Sequence, residues 1–62
     1  MKNLIKSKRV YYGITQQELA NLININRAYL SKIENNQRTP SVKIAKRIAY
    51  ELDFDWTLFF KD

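Results

Sequence analysis

The sequence contains no cysteine and no histidine, and only one glycine and one proline in 62 residues. Without thiol and imidazole side chains, disulfide bonds, the common zinc sites and most nucleophile–base pairs are excluded. The chain is also too short to form a catalytic pocket, and it has no clustered pair of carboxylates. We therefore expect no metal, no cofactor and no enzymatic activity.

Long hydrophobic runs are absent as well. The uninterrupted apolar stretches are only a few residues long, which is too short to span a membrane. Residues 1–3 lead directly into a helical pattern, without the apolar region of a signal peptide. We expect a cytoplasmic protein without membrane contact, folded as a single small domain over residues 1–62. With 45% apolar residues, its stability must come from packing.

Positive charge is concentrated in the first part of the chain. Residues 1–50 contain ten basic and two acidic side chains, whereas residues 51–62 contain one basic and four acidic side chains. The two segments therefore carry formal charges of +8 and −3. A basic body indicates an anionic partner, with the acidic tail facing away from it; the alternative is that the charge only confers solubility.

Residues 15–35 have the pattern of two short amphipathic helices joined by a tight turn. Thr15 and Glu18 have the spacing of a capping box, which predicts a helix start at about residue 16. Asn24 is suited to the left-handed conformation that ends a helix, and Asn26 is suited to cap the next one. Helices separated by about three residues must cross steeply, so the stretch predicts a helix-turn-helix motif.

A first helix is predicted over residues 2–12 and ends at Gly13, which tolerates the left-handed conformation. Arg9 lies on the inward face of this helix, together with Tyr12. A charged side chain on an inward face needs a partner, and Glu34 is the candidate. We predict a structural ion pair between Arg9 and Glu34. The alternative is that Arg9 contacts phosphate.

A fourth helix follows a polar loop in which Asn36 is a second candidate for the left-handed conformation. Pro40 suits the first turn of this helix, with Thr39 or Ser41 as its cap. The apolar residues at helical spacing predict the stripe of this helix that faces the core: Val42, Ala45, Ile48, Ala49 and Leu52. A fifth helix of a single turn is predicted to start at Asp55, and its Phe59 and Phe60 are assigned to the core.

The motifs KSKR, TQQELA, RAYLSKIEN, RTPS and DWTLFF together resemble the Cro and repressor class of helix-turn-helix proteins, the Xre family of bacterial and phage transcriptional regulators. The resemblance covers nearly the whole chain. It departs from the family pattern at Asn24 and Asn36, where members usually have glycine. It implies an all-α, lambda-repressor-like bundle of four or five helices, with helix three, about residues 27–35, in the major groove of DNA.

The resemblance also implies a role for individual side chains. Four of them lie on the outer edge of helix three and would meet base edges: Arg27, Ala28, Ser31 and Lys32. Five others would contact the DNA backbone: Gln16, Tyr29, Asn35, Gln37 and Arg38. Lys6 and Lys43 are weaker candidates for the same role. An outer edge of this composition is also ordinary for any surface helix, which is the alternative interpretation.

Members of this family commonly bind palindromic operators as twofold dimers, so the resemblance implies a homodimer on double-stranded DNA. Trp56 and Leu58 are the candidate dimer contacts, because the last helix has more apolar side chains than it can bury. The alternative is that Trp56 only caps the core. The expected function is a transcriptional regulator that acts as a repressor, with no evident small-molecule effector site. The alternative is a protein-interaction module of the same fold, such as an antitoxin or a restriction-modification controller.

Overall fold

The structure is a computed structural model that describes residues 4–61. It contains four α-helices and a terminal 3₁₀ helix: α1 (Leu4–Tyr12), α2 (Gln16–Leu22), α3 (Arg27–Glu34), α4 (Val42–Leu52) and the 3₁₀ helix (Trp56–Phe60). Between residues 4 and 61 there are no strands, so the predicted all-α bundle is confirmed. The first residues of the predicted helix one, and Asp62 of the acidic tail, lie outside the described residues.

Aliphatic side chains from all four α-helices form one core. Leu19 of α2, Leu30 of α3 and Leu52 of α4 have no exposed surface, and Ile5 of α1 is 2% exposed. Phe59 of the 3₁₀ helix packs against this cluster from the carboxyl end. Each fully buried aliphatic side chain contributes about 1.5–3 kcal/mol, so the core holds the two helices of the motif in a fixed relation to α1 and α4.

The start of α2 is the predicted capping box. The Thr15 hydroxyl accepts from the Glu18 amide at 3.0 Å, and the Thr15 amide donates to the Glu18 carboxylate at 2.9 Å. The hydrogen bond from the Thr15 backbone amide, and then that from its hydroxyl, lower the pKa of Glu18 below its ordinary value of 4.5. The carboxylate form of Glu18 is therefore part of the folded cap.

Acid is expected to weaken the fold partly through this cap. Folding lowers the pKa of Glu18. The Glu18 carboxylate therefore stabilises the folded state fully above the ordinary pKa, and this stabilisation is lost as the pH falls through the lowered pKa. Glu18→Gln keeps an acceptor for the Thr15 amide but removes the titration. We expect the urea midpoint to change less between pH 7 and about pH 3 in this variant than in wild type. Thr15→Ser, which keeps the hydroxyl, should behave as wild type; equal changes in wild type and Glu18→Gln would contradict the assignment.

The left-handed positions predicted in the turns are confirmed. Gly13 has φ +70°, Asn24 has φ +59° and Asn36 has φ +60°. Asn26 caps α3 as predicted, its side-chain oxygen accepting from the Ala28 amide at 2.6 Å. The asparagines thus occupy the conformation that glycine would adopt most easily, and the short turn between α2 and α3 is retained.

The segment after α4 contains a left-handed residue that the sequence did not reveal. Asp53 has φ +56° and ends α4, a conformation that aspartate tolerates better than most residues. Asp55 then caps the 3₁₀ helix, as predicted, by accepting from the Thr57 amide at 3.0 Å and from its hydroxyl at 2.8 Å. These two hydrogen bonds, the backbone one first, lower the pKa of Asp55.

Three predictions about burial and about the start of α4 are wrong, whereas Ser41, one of the two residues predicted to cap α4, is confirmed as its N-cap. Tyr12 is 43% exposed, because the chain reverses at Gly13 directly after it; its ring meets that of Tyr11 edge-on instead. Val42 is 48% exposed, because it occupies the first position of α4, and the buried stripe begins only one turn later. Pro40 is not in the first turn of α4: Ser41 is the N-cap, so Pro40 precedes the helix, where it is buried.

Candidate nucleic-acid interface

The outer edge of α3 carries the predicted base-reading side chains. Leu30 and Ile33 of this helix are buried, which turns the opposite side of the helix outward. Arg27, Ala28 and Lys32 are exposed, as a contact with an external ligand requires. Ser31 is half-buried, and its hydroxyl accepts from the Asn35 side chain at 3.5 Å. The structure therefore brings the four side chains together on one helix, and their contact with bases stays a prediction.

The amino-terminal ends of α2 and α3 meet through their first residues. Nη1 of Arg27 lies 3.4 Å from Oε1 of Gln16, and no spacing in the sequence indicated this contact. Because the amide oxygen of Gln16 accepts from Arg27, its Nε2 group is left to donate to an anion. A predicted phosphate contact is therefore hydrogen-bonded directly to a predicted base contact.

The loop after α3 folds back onto the end of that helix. The amides of Gln37 and Arg38 both donate to the Lys32 carbonyl, at 2.8 Å and 3.3 Å. These main-chain donors are therefore occupied, so contacts from Gln37 and Arg38 to a phosphate must come from their exposed side chains. The Arg38 guanidinium lies over the half-buried ring of Tyr29, 5.6 Å from its centroid, which the sequence did not indicate.

The predicted ion pair between Arg9 and Glu34 is confirmed. The guanidinium donates to both carboxylate oxygens, from Nε at 2.8 Å and from Nη2 at 3.1 Å. It also donates to the Ile14 carbonyl at 3.2 Å. The side chains are only 12% and 7% exposed. This two-point contact ties α1 to the last turn of α3, and so it orients the helix that carries the candidate base contacts.

The predicted dimer contacts lie on the 3₁₀ helix at the carboxyl end. Trp56 and Leu58 are half-buried. The Lys46 ammonium lies 5.0 Å from the Trp56 ring centroid, and the Phe60 ring lies 6.0 Å from it. Phe60 is 43% exposed, so its assignment to the core is wrong: it comes last in the 3₁₀ helix, and the centroid of its ring lies 6.4 Å from that of Phe59. The apolar surplus at this end is thus larger than predicted.

A groove of about 420 Å³ lies between the end of α2 and α4, and no residue of α3 lines it. Its lining residues are Leu22, Ile23, Lys46, Arg47, Tyr50 and Glu51. The prediction that no small molecule controls the protein stays a prediction.

Among residues 4–61, no helix is long and apolar enough to cross a membrane, and no acidic side chains are grouped as a metal site requires.

Known proteins are similar to this chain in sequence. YqaF of Bacillus subtilis strain 168, named as an uncharacterized HTH-type transcriptional regulator, is 47% identical over 62 residues, which is all of this chain and 82% of that protein. The ImmF control region 10 kDa protein of Bacillus phage phi105 is 42% identical over 52 residues; the match covers 84% of this chain but 58% of the phage protein.

A solved structure and a family model are also similar to this chain. The structure of C.Esp1396I bound to a 25 base pair operator site is similar with a TM-score of 0.70 and 38% identity, over 90% of this chain and 74% of that chain. The family model described as Helix-turn-helix matches residues 5–59. This chain therefore belongs to the helix-turn-helix family, in the Cro and repressor class that its motifs resemble.

Proposed function

We propose that this chain is a sequence-specific, double-stranded DNA-binding transcriptional regulator that acts in the cytoplasm as a repressor. The observation that carries the proposal is the exposed edge of α3, where Arg27 stands at the amino end of the helix in contact with Gln16. A helix presented in this way fits the major groove. The similarity to C.Esp1396I, which was solved on an operator, supports the same mode of binding.

In this proposal the side chains divide into two groups by what they contact. Arg27 and Lys32 donate to guanine O6 and N7, while Ala28 and Ser31 meet the remaining base edges. Four side chains contact the DNA backbone and position the helix without reading sequence: Gln16, Asn35, Gln37 and Arg38, the last with its guanidinium over the Tyr29 ring. Arg38 is the cation among them, and a phosphate that it neutralises releases counterions, so the affinity should fall as salt rises.

Selection of binding sites from random double-stranded DNA at a stated salt concentration tests the proposal. We expect enrichment of a palindrome whose half-sites are about one helical turn apart, because two copies are needed to read enough base pairs. Enrichment of one unpaired half-site would contradict the dimer but not the DNA reader. No enrichment, with weak binding to all sequences, would contradict the proposed function.

A second candidate is a protein-interaction module of the same fold, such as an antitoxin or a restriction-modification controller. It is favoured by Leu22 and Tyr50, which are 57% and 84% exposed beside the groove between α2 and α4. Exposed apolar side chains that line one groove are typical of a protein contact. A module that neutralises a partner, as an antitoxin does, predicts a stable complex with another protein and little salt-dependent binding to DNA.

The proposed homodimer uses the apolar end of the chain, where Trp56, Leu58 and the exposed Phe60 lie on one short helix. Leu58→Lys places a charge in the proposed interface, so we expect wild type to have the mass of a dimer and the variant that of a monomer, with weaker operator binding. Light scattering after size exclusion measures both masses. Val10→Lys is the control, since Val10 is 69% exposed on α1. Monomer masses for both wild type and Leu58→Lys would end the dimer proposal, and dimer masses for both would contradict the assignment of Leu58 to the interface.

A further inference from the structure

We propose that Tyr29 is a positioning residue for Arg38: its ring holds the guanidinium in the orientation that contacts DNA phosphate. This rests on the proposed DNA binding, and it assigns Tyr29 a role different from a hydrogen bond between its own hydroxyl and the backbone. The observation that carries it is the contact of Arg38 with the Tyr29 ring, at 5.6 Å from the centroid.

The core holds the Tyr29 ring in place. Tyr29 lies on α3 between the buried Leu30 and the exposed Ala28, and it is packed against the aliphatic core. The same core orients the helix that carries the candidate base contacts. A cation that rests on this ring is therefore placed relative to the base-reading edge, and not only relative to its own loop.

The backbone at Arg38 is fixed from the same helix. Asn36 turns the chain in the left-handed conformation, with φ +60°. The amides of Gln37 and Arg38 then donate to the Lys32 carbonyl. Only the exposed side chain of Arg38 is left to move. A long arginine side chain loses rotamer freedom when it is immobilised on a ligand, and a ring that restrains it beforehand reduces that loss.

Arg38 is also the only charged residue between Asn35 and Ser41. The attraction of this loop to phosphate therefore depends on one guanidinium. Arginine is suited to both contacts, because its planar, weakly hydrated group lies flat on an aromatic ring while its edge donates to phosphate oxygens. Lysine has the same charge, but its ammonium group is not planar and cannot lie flat on a ring. The pairing of Arg38 with Tyr29 thus explains why an aromatic residue stands on the flank of α3.

A double-mutant cycle on the selected operator tests the proposal, with Tyr29→Leu, Arg38→Ala and the double variant. We expect Tyr29→Leu to weaken binding about two- to fivefold, the size of an exposed cation–π contact, and to have no further effect in the Arg38→Ala background. Tyr29→Phe, which keeps the ring, should bind within about twofold of wild type. Arg38→Ala should reduce the salt slope by about one, while Tyr29→Leu should leave the slope unchanged.

Other results of this experiment would contradict either the role of the Tyr29 ring or the phosphate contact of Arg38. Equal losses in Tyr29→Phe and Tyr29→Leu would assign the contact to the hydroxyl and overturn the proposal, as would additive losses in the cycle. No loss in Arg38→Ala would contradict the phosphate contact in the proposed function. Ring-current shifts of the Arg38 side-chain protons, measured without DNA, check the positioning separately: they should be present in wild type and Tyr29→Phe, and their absence from wild type would overturn it.

Discussion

Replacing Glu34 with alanine is expected to lower the free energy of unfolding by about 3–5 kcal/mol, because the variant leaves the Arg9 guanidinium largely buried without its partner. The pair is bonded at two points, and its side chains are only 12% and 7% exposed. Small domains have total stabilities of about 5–15 kcal/mol, so the variant should lose a large part of its fold. Urea unfolding followed by circular dichroism and by the fluorescence of Trp56 measures the loss.

Replacing both partners distinguishes a buried pair from a surface one. Arg9→Met combined with Glu34→Leu removes both charges, and it should recover much of the stability lost in Glu34→Ala. The bond from Arg9 to the Ile14 carbonyl is lost in the double variant, so full recovery is not expected. A loss below about 1 kcal/mol in Glu34→Ala would show that the pair behaves as an exposed surface pair.

Arg27→Ala is expected to weaken binding to the selected operator by about 1–3 kcal/mol, which is about 5- to 150-fold. The proposed reason is the loss of a two-point contact between Arg27 and one guanine, so the preference at one base position should be relaxed. Competition binding against operators with single base changes, at a fixed salt concentration, measures both effects. Arg27 is exposed in the free protein, so the fold should be retained.

Two other variants serve as controls for this experiment. Arg38→Ala should weaken binding to every sequence by the same factor, because a phosphate contact carries no sequence information. Gln16→Ala removes the contact with Arg27 at 3.4 Å as well as a predicted phosphate contact, so it should weaken binding and partly relax the same base position. A uniform loss across all operators in Arg27→Ala would assign Arg27 to phosphate instead.

Local features of the fold followed from short stretches of sequence. Thr15 with Glu18, and Asn26, predicted the starts of two helices, because a capping side chain needs only neighbours a few residues away. Gly13 and Asn24 predicted where helices end, since few residues tolerate positive φ. The Arg9–Glu34 pair was also predictable, because a charge on an inward face must find a partner of opposite sign.

Burial at the ends of helices was not predictable in the same way. Tyr12, Val42 and Phe60 are apolar or aromatic side chains assigned to an inward face or to the core, yet each is more than two-fifths exposed. Periodicity shows which face of a helix is apolar, but it does not show how far the neighbouring helices extend along it. Each of these residues lies at an end of its helix, where there can be no neighbouring helix to cover the side chain.

By itself, the sequence determined the helices, most of their caps and turns, and the edge of α3 that is left polar, since these depend on contacts within a few residues; the turn at Asp53 was not among them. Apart from the Arg9–Glu34 pair, only the tertiary structure decided which side chains of the site meet: Gln16 with Arg27 across the two helices, and Arg38 with Tyr29 across the loop. The physical reason is that such contacts depend on the angle and distance at which elements pack. The common core sets both.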